Sequence, residues 1–207
     1  MNLPQPKPVI GIVGAIGAGK SVASNRFAAL GAVVLDADKI GHGILNLPDA
    51  RQEIIAAFGP GVIGSEGNID RKQVASLVFT DREKLKQLEK IVHARMRTVF
   101  ENEIRAAQLN PAVPAIVLDA AVLLEAGWDG LCDRVLFVDA PASQRIERVR
   151  VGRGWDIAEL ERREAMQIPN DEKKRRANRI IMNDGTIADY ETKVDELFRE
   201  WALNPSR

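Results

Sequence analysis

The sequence predicts a three-layer α/β fold, a five-stranded parallel sheet with helices on both faces, and three observations carry that reading. Five short runs rich in Val and Ile recur along the chain. Stretches of helical character separate them, as crossovers between parallel strands require. The first run, Val9-Ile10-Gly11-Ile12-Val13, leads into Gly14-Ala15-Ile16-Gly17-Ala18-Gly19-Lys20-Ser21, which fits GxxxxGK[ST] and precedes a helix-like segment from Val22 to Leu30. Strand, glycine-rich loop and helix in that order are the expected setting of a phosphate-binding loop.

After Val9 to Val13, the strand runs are Ala32 to Ala37, Ala115 to Ala120, Arg134 to Ala140 and Arg179 to Asn183. They are apolar and separated by helical stretches, which marks strands covered on both faces. Helices are expected over Gln52 to Phe58, Arg71 to Phe79, Asp81 to about Gln108, Ser143 to Val151, Asp156 to Met166, Asp171 to Ala177 and Ile187 to Trp201. Asp70, Asp81, Ser143 and Thr186 stand where N-caps belong. Residues 39–114 hold several helices and no strand, too long a stretch for a simple crossover, and read as an insertion covering the substrate. Residues 152–178 read as a mobile lid. The core is then about 8–38, 115–151 and 179–203 of one domain spanning 1–207.

Composition narrows the function. The 29 basic and 29 acidic residues cancel, which argues against a partner held by bulk positive charge, whether nucleic acid or membrane surface. A single cysteine, Cys132, excludes an internal disulfide and suggests a reducing compartment. Met1 to Pro8 contains three prolines and no apolar stretch of signal length, and no run reaches transmembrane length. A soluble, cytoplasmic protein is expected, with monomer as the default. His42 and His93, the two histidines, cannot make a zinc site with one cysteine. Trp128, Trp155 and Trp201 share no spacing and read as packing residues.

The loop's glycines let successive backbone N–H groups turn inward around a polyphosphate at the positive end of the helix beginning near Lys20. Lys20 then reaches the β- and γ-phosphates and Ser21 offers a ligand to Mg²⁺. The second strand runs into Leu35-Asp36-Ala37-Asp38, which places both aspartates beyond the carboxyl end of a strand, where ligands of such sheets bind. Asp38 is the candidate base for an attacking hydroxyl; the other reading is a cap on a helix opening at Lys39. Asp119 closes the third run and would orient Mg²⁺ or its water shell. Glu125 is a candidate for holding substrate or a neighbouring arginine. Between Gln144 and Arg179 stand eleven Arg and Lys against seven Asp and Glu, among them Arg145, Arg148, Arg150 and Arg153. One or two of these arginines would close over a phosphoryl group in flight, and the rest would form a solvated face.

Taken together, these landmarks resemble the dephospho-CoA kinase family from Val9 to about Asp184. The resemblance is carried by the phosphate loop, Val34-Leu35-Asp36-Ala37-Asp38-Lys39-Ile40, Ile69-Asp70-Arg71 with Val78-Phe79, and Ile91-Val92-His93. Leu118-Asp119 through Leu123-Leu124-Glu125, Phe137-Val138-Asp139-Ala140-Pro141, Arg163 with Gln167, and Asn183-Asp184-Gly185 complete it. It implies a P-loop kinase fold and transfer of phosphate from ATP, with Mg²⁺, to the ribose 3′-hydroxyl of dephospho-CoA. It further implies ATP binding by Gly14, Gly17, Ala18, Gly19, Lys20, Ser21 and Val22, with Arg148 on the transferred phosphate and Asn183 near the adenine. Lys20, Asp38 and Arg148 would be catalytic. Asp38, Asp70, Arg71, His93 and Glu125 would serve the acceptor, and Ser21 and Asp119 the metal. The chain departs from the family pattern at Ala94 and Ala121, where prolines are usual, and at Asn178, where an aspartate is common.

Two other readings compete. Another small-molecule or nucleoside monophosphate kinase of this fold would share the loop and differ in the acceptor pocket. A GTPase-like switch would carry Asn-Lys-x-Asp after a late strand, whereas this chain has Met182-Asn183-Asp184-Gly185.

Overall fold

The computed structural model describes residues 6–65, 67–79 and 81–203, so Met1 to Gln5 of the proline-bearing leader lie outside the described residues. Five strands, β1 (Val9–Gly14), β2 (Val33–Asp36), β3 (Ile116–Asp119), β4 (Arg134–Asp139) and β5 (Arg179–Met182), form one sheet in the order β2-β3-β1-β4-β5. β1 pairs in parallel with β3 from Val9 opposite Ile116, and with β4 from Ile10 opposite Arg134. β4 pairs in parallel with β5 from Leu136 opposite Arg179. Each apolar run of the sequence is therefore a strand. Every residue of β1 and β4 is buried, which is why these runs lack a polar alternation. With a neighbour on each side, β1 delivers the phosphate loop to the middle of the sheet's carboxyl edge, the usual ligand position in such sheets.

The chain packs as two compact units, one of Met1–Leu35 with Glu103–Arg207 and one of Asp36–Asn102. In the first, α1 (Lys20–Ala29) packs against α9 (Ile187–Leu203). Phe27 meets Phe198 edge to face at 5.8 Å, and the Arg26 guanidinium forks onto the Asp195 carboxylate at 2.5 and 2.6 Å. Phe27 is wholly buried; truncating such a ring to alanine costs about 3–5 kcal/mol. The C-terminal end of α5 (Arg82–Leu109) belongs here because Lys7 Nζ donates to the carbonyls of Ala107, Gln108 and Asn110. A lysine there satisfies the orphan acceptors and the negative end of the helix dipole.

Three helices follow β4: α6 (Ala142–Arg153), α7 (Ile157–Glu164) and α8 (Asn170–Arg176). Asp156 caps α7 by accepting from the Glu159 N–H at 2.7 Å. Ser143 does not cap α6: the helix starts one residue earlier, after Pro141, whose fixed φ suits a helix entrance. Asp81 and Thr186 do cap, Thr186 in a reciprocal pair with Asp189. Residues 152–178 are not uniform, for α8 packs on β1 and β4. Asn178 bonds Val135 twice, Oδ1 accepting from its N–H at 2.7 Å and the Asn178 N–H donating to its carbonyl at 2.8 Å. The position calls for an acceptor, and the Asn178 amide oxygen supplies one. Cys132 lies nearby, its thiol 3.7 Å from the Trp128 carbonyl and pushed up to about 12 by burial, with Asp129 and Asp133 adding to the effect.

The second unit contains α2 (Ala37–Ile44), α3 (Pro48–Phe58), α4 (Arg71–Phe79) and the N-terminal part of α5. Ile44, Ala50, Ile54, Val62, Ile91 and Phe100 are buried in it. Arg95 of α5 reaches Asp49 at 2.8 Å and Glu53 at 2.7 Å on α3. α3 begins at Pro48, four residues before the expected Gln52, because proline at the first helical position forfeits only an N–H that is unpaired anyway.

Candidate active site

Gly14 ends β1 and Lys20 begins α1, so the phosphate loop is the turn between them. Gly17 and Gly19 have φ of +79° and +96°, values that a residue with a Cβ adopts only under strain. Space forbids a side chain there too, since a Cβ on Gly17 would meet the Arg145 carbonyl at 2.8 Å and one on Gly19 would strike the Asn183 amide. Gly19 caps α1 without a side chain. The Ser21 N–H of the first turn is thus offered to an anion, whereas the Val22 N–H beside it donates to the Gly19 carbonyl at 3.0 Å.

What turns the loop's N–H groups inward is a ring of donors outside it. Arg145 on α6 donates to the Ile16 carbonyl at 3.1 Å. Arg148, one turn on, approaches the Gly17 and Ala18 carbonyls at 3.5 and 3.4 Å. Asn183, 7% exposed just past β5, donates its amide to Ala18 O at 2.8 Å. The Tyr190 hydroxyl lies 3.5 Å from the Gly19 carbonyl, and burial raises that phenol's pKa above its ordinary value. Four successive carbonyls are engaged in this way, that of Gly19 also by the Val22 N–H at 3.0 Å, and the Ala18 N–H donates to the Ala15 carbonyl at 3.0 Å; carbonyls held on the outside favour an anion-binding nest within. In the structure both side chains, which the resemblance puts on the transferred phosphate and by the adenine, contact the loop's carbonyls. Arg148 also donates to Gln144 Oε1 at 2.9 Å and to the Asn183 carbonyl at 3.3 Å.

Lys20 forms an ion pair with Asp119 at the end of β3, and the Ser24 hydroxyl donates to the other Asp119 oxygen. Ser24 escaped the sequence reading although it lies four residues after Lys20, on the same helix face. The Ser21 hydroxyl and the Asp119 carboxylate are hard oxygen donors, the chemistry Mg²⁺ selects. Among the described residues no group of three or more His, Cys, Asp or Glu is placed to hold a metal ion. A metal would therefore rely on few protein ligands plus phosphate and water, the habit of Mg²⁺ at nucleotide sites. Glu125 accepts from the Ile168 N–H at 3.0 Å and lies 3.8 Å from Lys173 Nζ.

The remaining candidates sit in the second unit. Asp38 is exposed in the first turn of α2. It is not the cap; Asp36 is, accepting from the Lys39 N–H at 3.1 Å. Burial pushes the Asp36 carboxyl up, but the Lys39 N–H and ammonium outweigh it and hold the group below the usual range. Asp70 caps α4 through the N–H groups of Lys72 and Gln73 at 2.9 and 3.3 Å. Arg71 is exposed, its guanidinium 3.4 Å from His42 Nδ1, a neighbour that the sequence reading left unassigned. His93 is half-buried on α5, and burial holds its pKa below 6.5 against the raising effect of Glu89.

A family model described as dephospho-CoA kinase matches residues 8–189. A dephospho-CoA kinase of Geobacter sulfurreducens is 37% identical over 192 residues, covering 92% of this chain and 96% of that protein. The crystal structure of TT1252 from Thermus thermophilus superposes with a TM-score of 0.80 at 33% identity, covering 95% of this chain and 98% of that one. A dephospho-CoA kinase from Campylobacter jejuni shares the fold with a TM-score of 0.64 at 24% identity, over 94% of this chain and 97% of that one.

Proposed function

The chain belongs to the dephospho-CoA kinase family, and we propose that its own residues divide the labour of phosphorylating dephospho-CoA with ATP between the phosphate loop and Asp38. Dephospho-CoA and ATP are its small-molecule substrates, and CoA biosynthesis is the pathway it serves. In the reaction the ribose 3′-oxygen bonds to the γ-phosphorus, the bond from that phosphorus to the β–γ bridging oxygen breaks, and ADP leaves. The hydroxyl proton passes to the Asp38 carboxylate. Phosphoryl transfer asks the protein chiefly for position and charge neutralisation, and both are provided for. The inward amides take the phosphate oxygens. Lys20, held beside Asp119, carries its ammonium to the γ-phosphate.

Ser21 and Asp119 would hold Mg²⁺, which when bound would supply neutralisation of phosphate charge. Asp70, Arg71 and His93 would serve the acceptor side, the guanidinium of Arg71 suiting a phosphate of dephospho-CoA. Arg148 would meet the transferred phosphate and Asn183 would lie near the adenine, both side chains also supporting the loop. The one cysteine fits work in the reducing cytoplasm, with a monomer as the default.

The observation that carries this division is the outward bonding of four consecutive loop carbonyls. Its test is Mg²⁺-dependent ADP release with dephospho-CoA as acceptor, beside AMP, CMP, pantetheine and adenosine, with the phosphorylated position located by mass spectrometry. One phosphate on the 3′-oxygen of dephospho-CoA is expected. Transfer to a nucleotide instead would keep the loop chemistry and discard the acceptor.

A further inference from the structure

Lys173 is 1% exposed, and neither the phosphate loop nor the proton transfer uses it. Burying an ammonium costs several kcal/mol unless it is paired and hydrogen-bonded, so its partners matter. Its Nζ donates to Gln167 Oε1 at 2.6 Å and lies 3.8 Å from the Glu125 carboxylate. Burial lowers its pKa, while the Glu125 and Glu164 carboxylates oppose that. Glu125 also accepts from the Ile168 N–H at 3.0 Å. One ammonium and one carboxylate thereby grip two consecutive residues of the turn between α7 and α8.

The turn is joined to the phosphate loop by contact. Glu164 ends α7 and takes the Arg145 guanidinium at 2.5 Å. The same guanidinium nitrogen donates to the Ile16 carbonyl at 3.1 Å. At the other end α8 is fastened to the sheet, for Lys174 meets Asp139 at the end of β4 at 2.7 Å, and Asp139 accepts from the Ala140 N–H at 2.9 Å. Lys173 therefore stands at the anchored end of a line that runs through the turn, Glu164 and Arg145 to the back of the loop.

We propose that Lys173 is a positioning residue for ATP: it sets the turn between α7 and α8 and, through Glu164 and Arg145, keeps the Ile16 carbonyl turned away from the bound polyphosphate. This rests on the reading of the phosphate loop as the ATP site. A line of contacts is not itself coupling, which only a double-mutant cycle measures. The experiment compares full-length Lys173→Met, Glu164→Ala and the double variant for kcat and for the KM of ATP and of dephospho-CoA, alongside the thermal midpoint.

Lys173→Met is expected to raise the KM of ATP about tenfold and to leave that of dephospho-CoA within about twofold. The double variant should be no worse than Glu164→Ala alone. Additive losses, or an unchanged KM for ATP whatever the midpoint, would overturn the proposal. Should Lys173→Met not fold, Gln167→Ala takes its place in the cycle under the same criteria. Lys20→Ala is the control: turnover surviving it would overturn the site reading, whereas a dead Lys20→Ala beside a normal Lys173→Met would overturn this inference alone.

Discussion

Around the phosphate loop the important side chains are already engaged by protein: Lys20 with Asp119, Arg145 with Ile16 and Glu164, Asn183 with Ala18. In the 36–102 unit Asp38 is exposed in a first helical turn, and Arg71 has a ring nitrogen at 3.4 Å. The difference follows from what each region must do. A polyphosphate is compact, highly charged and always the same, so a site fixed in advance by its protein partners loses nothing by its rigidity and gains from orientation. A general base must meet a hydroxyl carried by a large, flexible acceptor, and an exposed carboxylate at a helix start keeps its proton-accepting oxygens uncommitted.

That contrast can be broken first at Lys20. Lys20→Ala should lower turnover by about a thousandfold or more while the thermal midpoint holds, because the ammonium acts on transferring charge and the apolar core lies elsewhere. Asp38→Asn should cost about 10²–10⁴ in kcat with little change in the KM of dephospho-CoA. Single-turnover quench with labelled ATP reads that step, and a near-normal rate would remove Asp38 as the base. Gly19→Ala should raise the KM of ATP and cost about 1–3 kcal/mol in urea unfolding, since a Cβ is forced to a φ of +96° against the Asn183 amide. An unaffected variant would mean that the loop is less rigid than its outward bonds suggest.

The smallest effect belongs to His93. Its folded pKa lies below 6.5, so as pH falls through that value the unfolded chain binds the proton first and folding loses stability until the folded ring also titrates. The contribution is present above about pH 6.5 and lost below it. His93→Gln should flatten the acid-side fall of the urea midpoint slightly, and an unchanged slope would show the ring to be more open to water than its half-burial indicates.

Much of this was readable from the chain, and the exceptions have physical reasons. Parallel strands announce themselves as apolar runs, and the phosphate loop is local, so both were legible. The helix expected to open at Lys39 starts at Ala37 instead, because Asp36 rather than Asp38 is its cap, and Gly41 and Gly43, poor helix formers, weaken its signal. The ring of donors outside the loop was not legible, because Asn183 and the Ala18 carbonyl it supports are 165 positions apart, and Tyr190 and Gly19 are 171 apart. No periodicity encodes such pairs. Arginines were visible as a cluster, but whether a guanidinium faces phosphate or the back of a peptide depends on how α6 lies against the loop, which only the fold supplies.

Cys132 gives experimenters something further. With its thiol pushed up to about 12, almost none of it is thiolate at neutral pH, and thiolate is the form that attacks maleimides and iodoacetamides. No other cysteine occurs in the sequence. A cysteine introduced by mutation on an exposed face of α7, with a second on α2, would thus take fluorophores or spin labels ahead of the less reactive Cys132, and distances between the probes could follow the catalytic cycle in a protein otherwise unaltered.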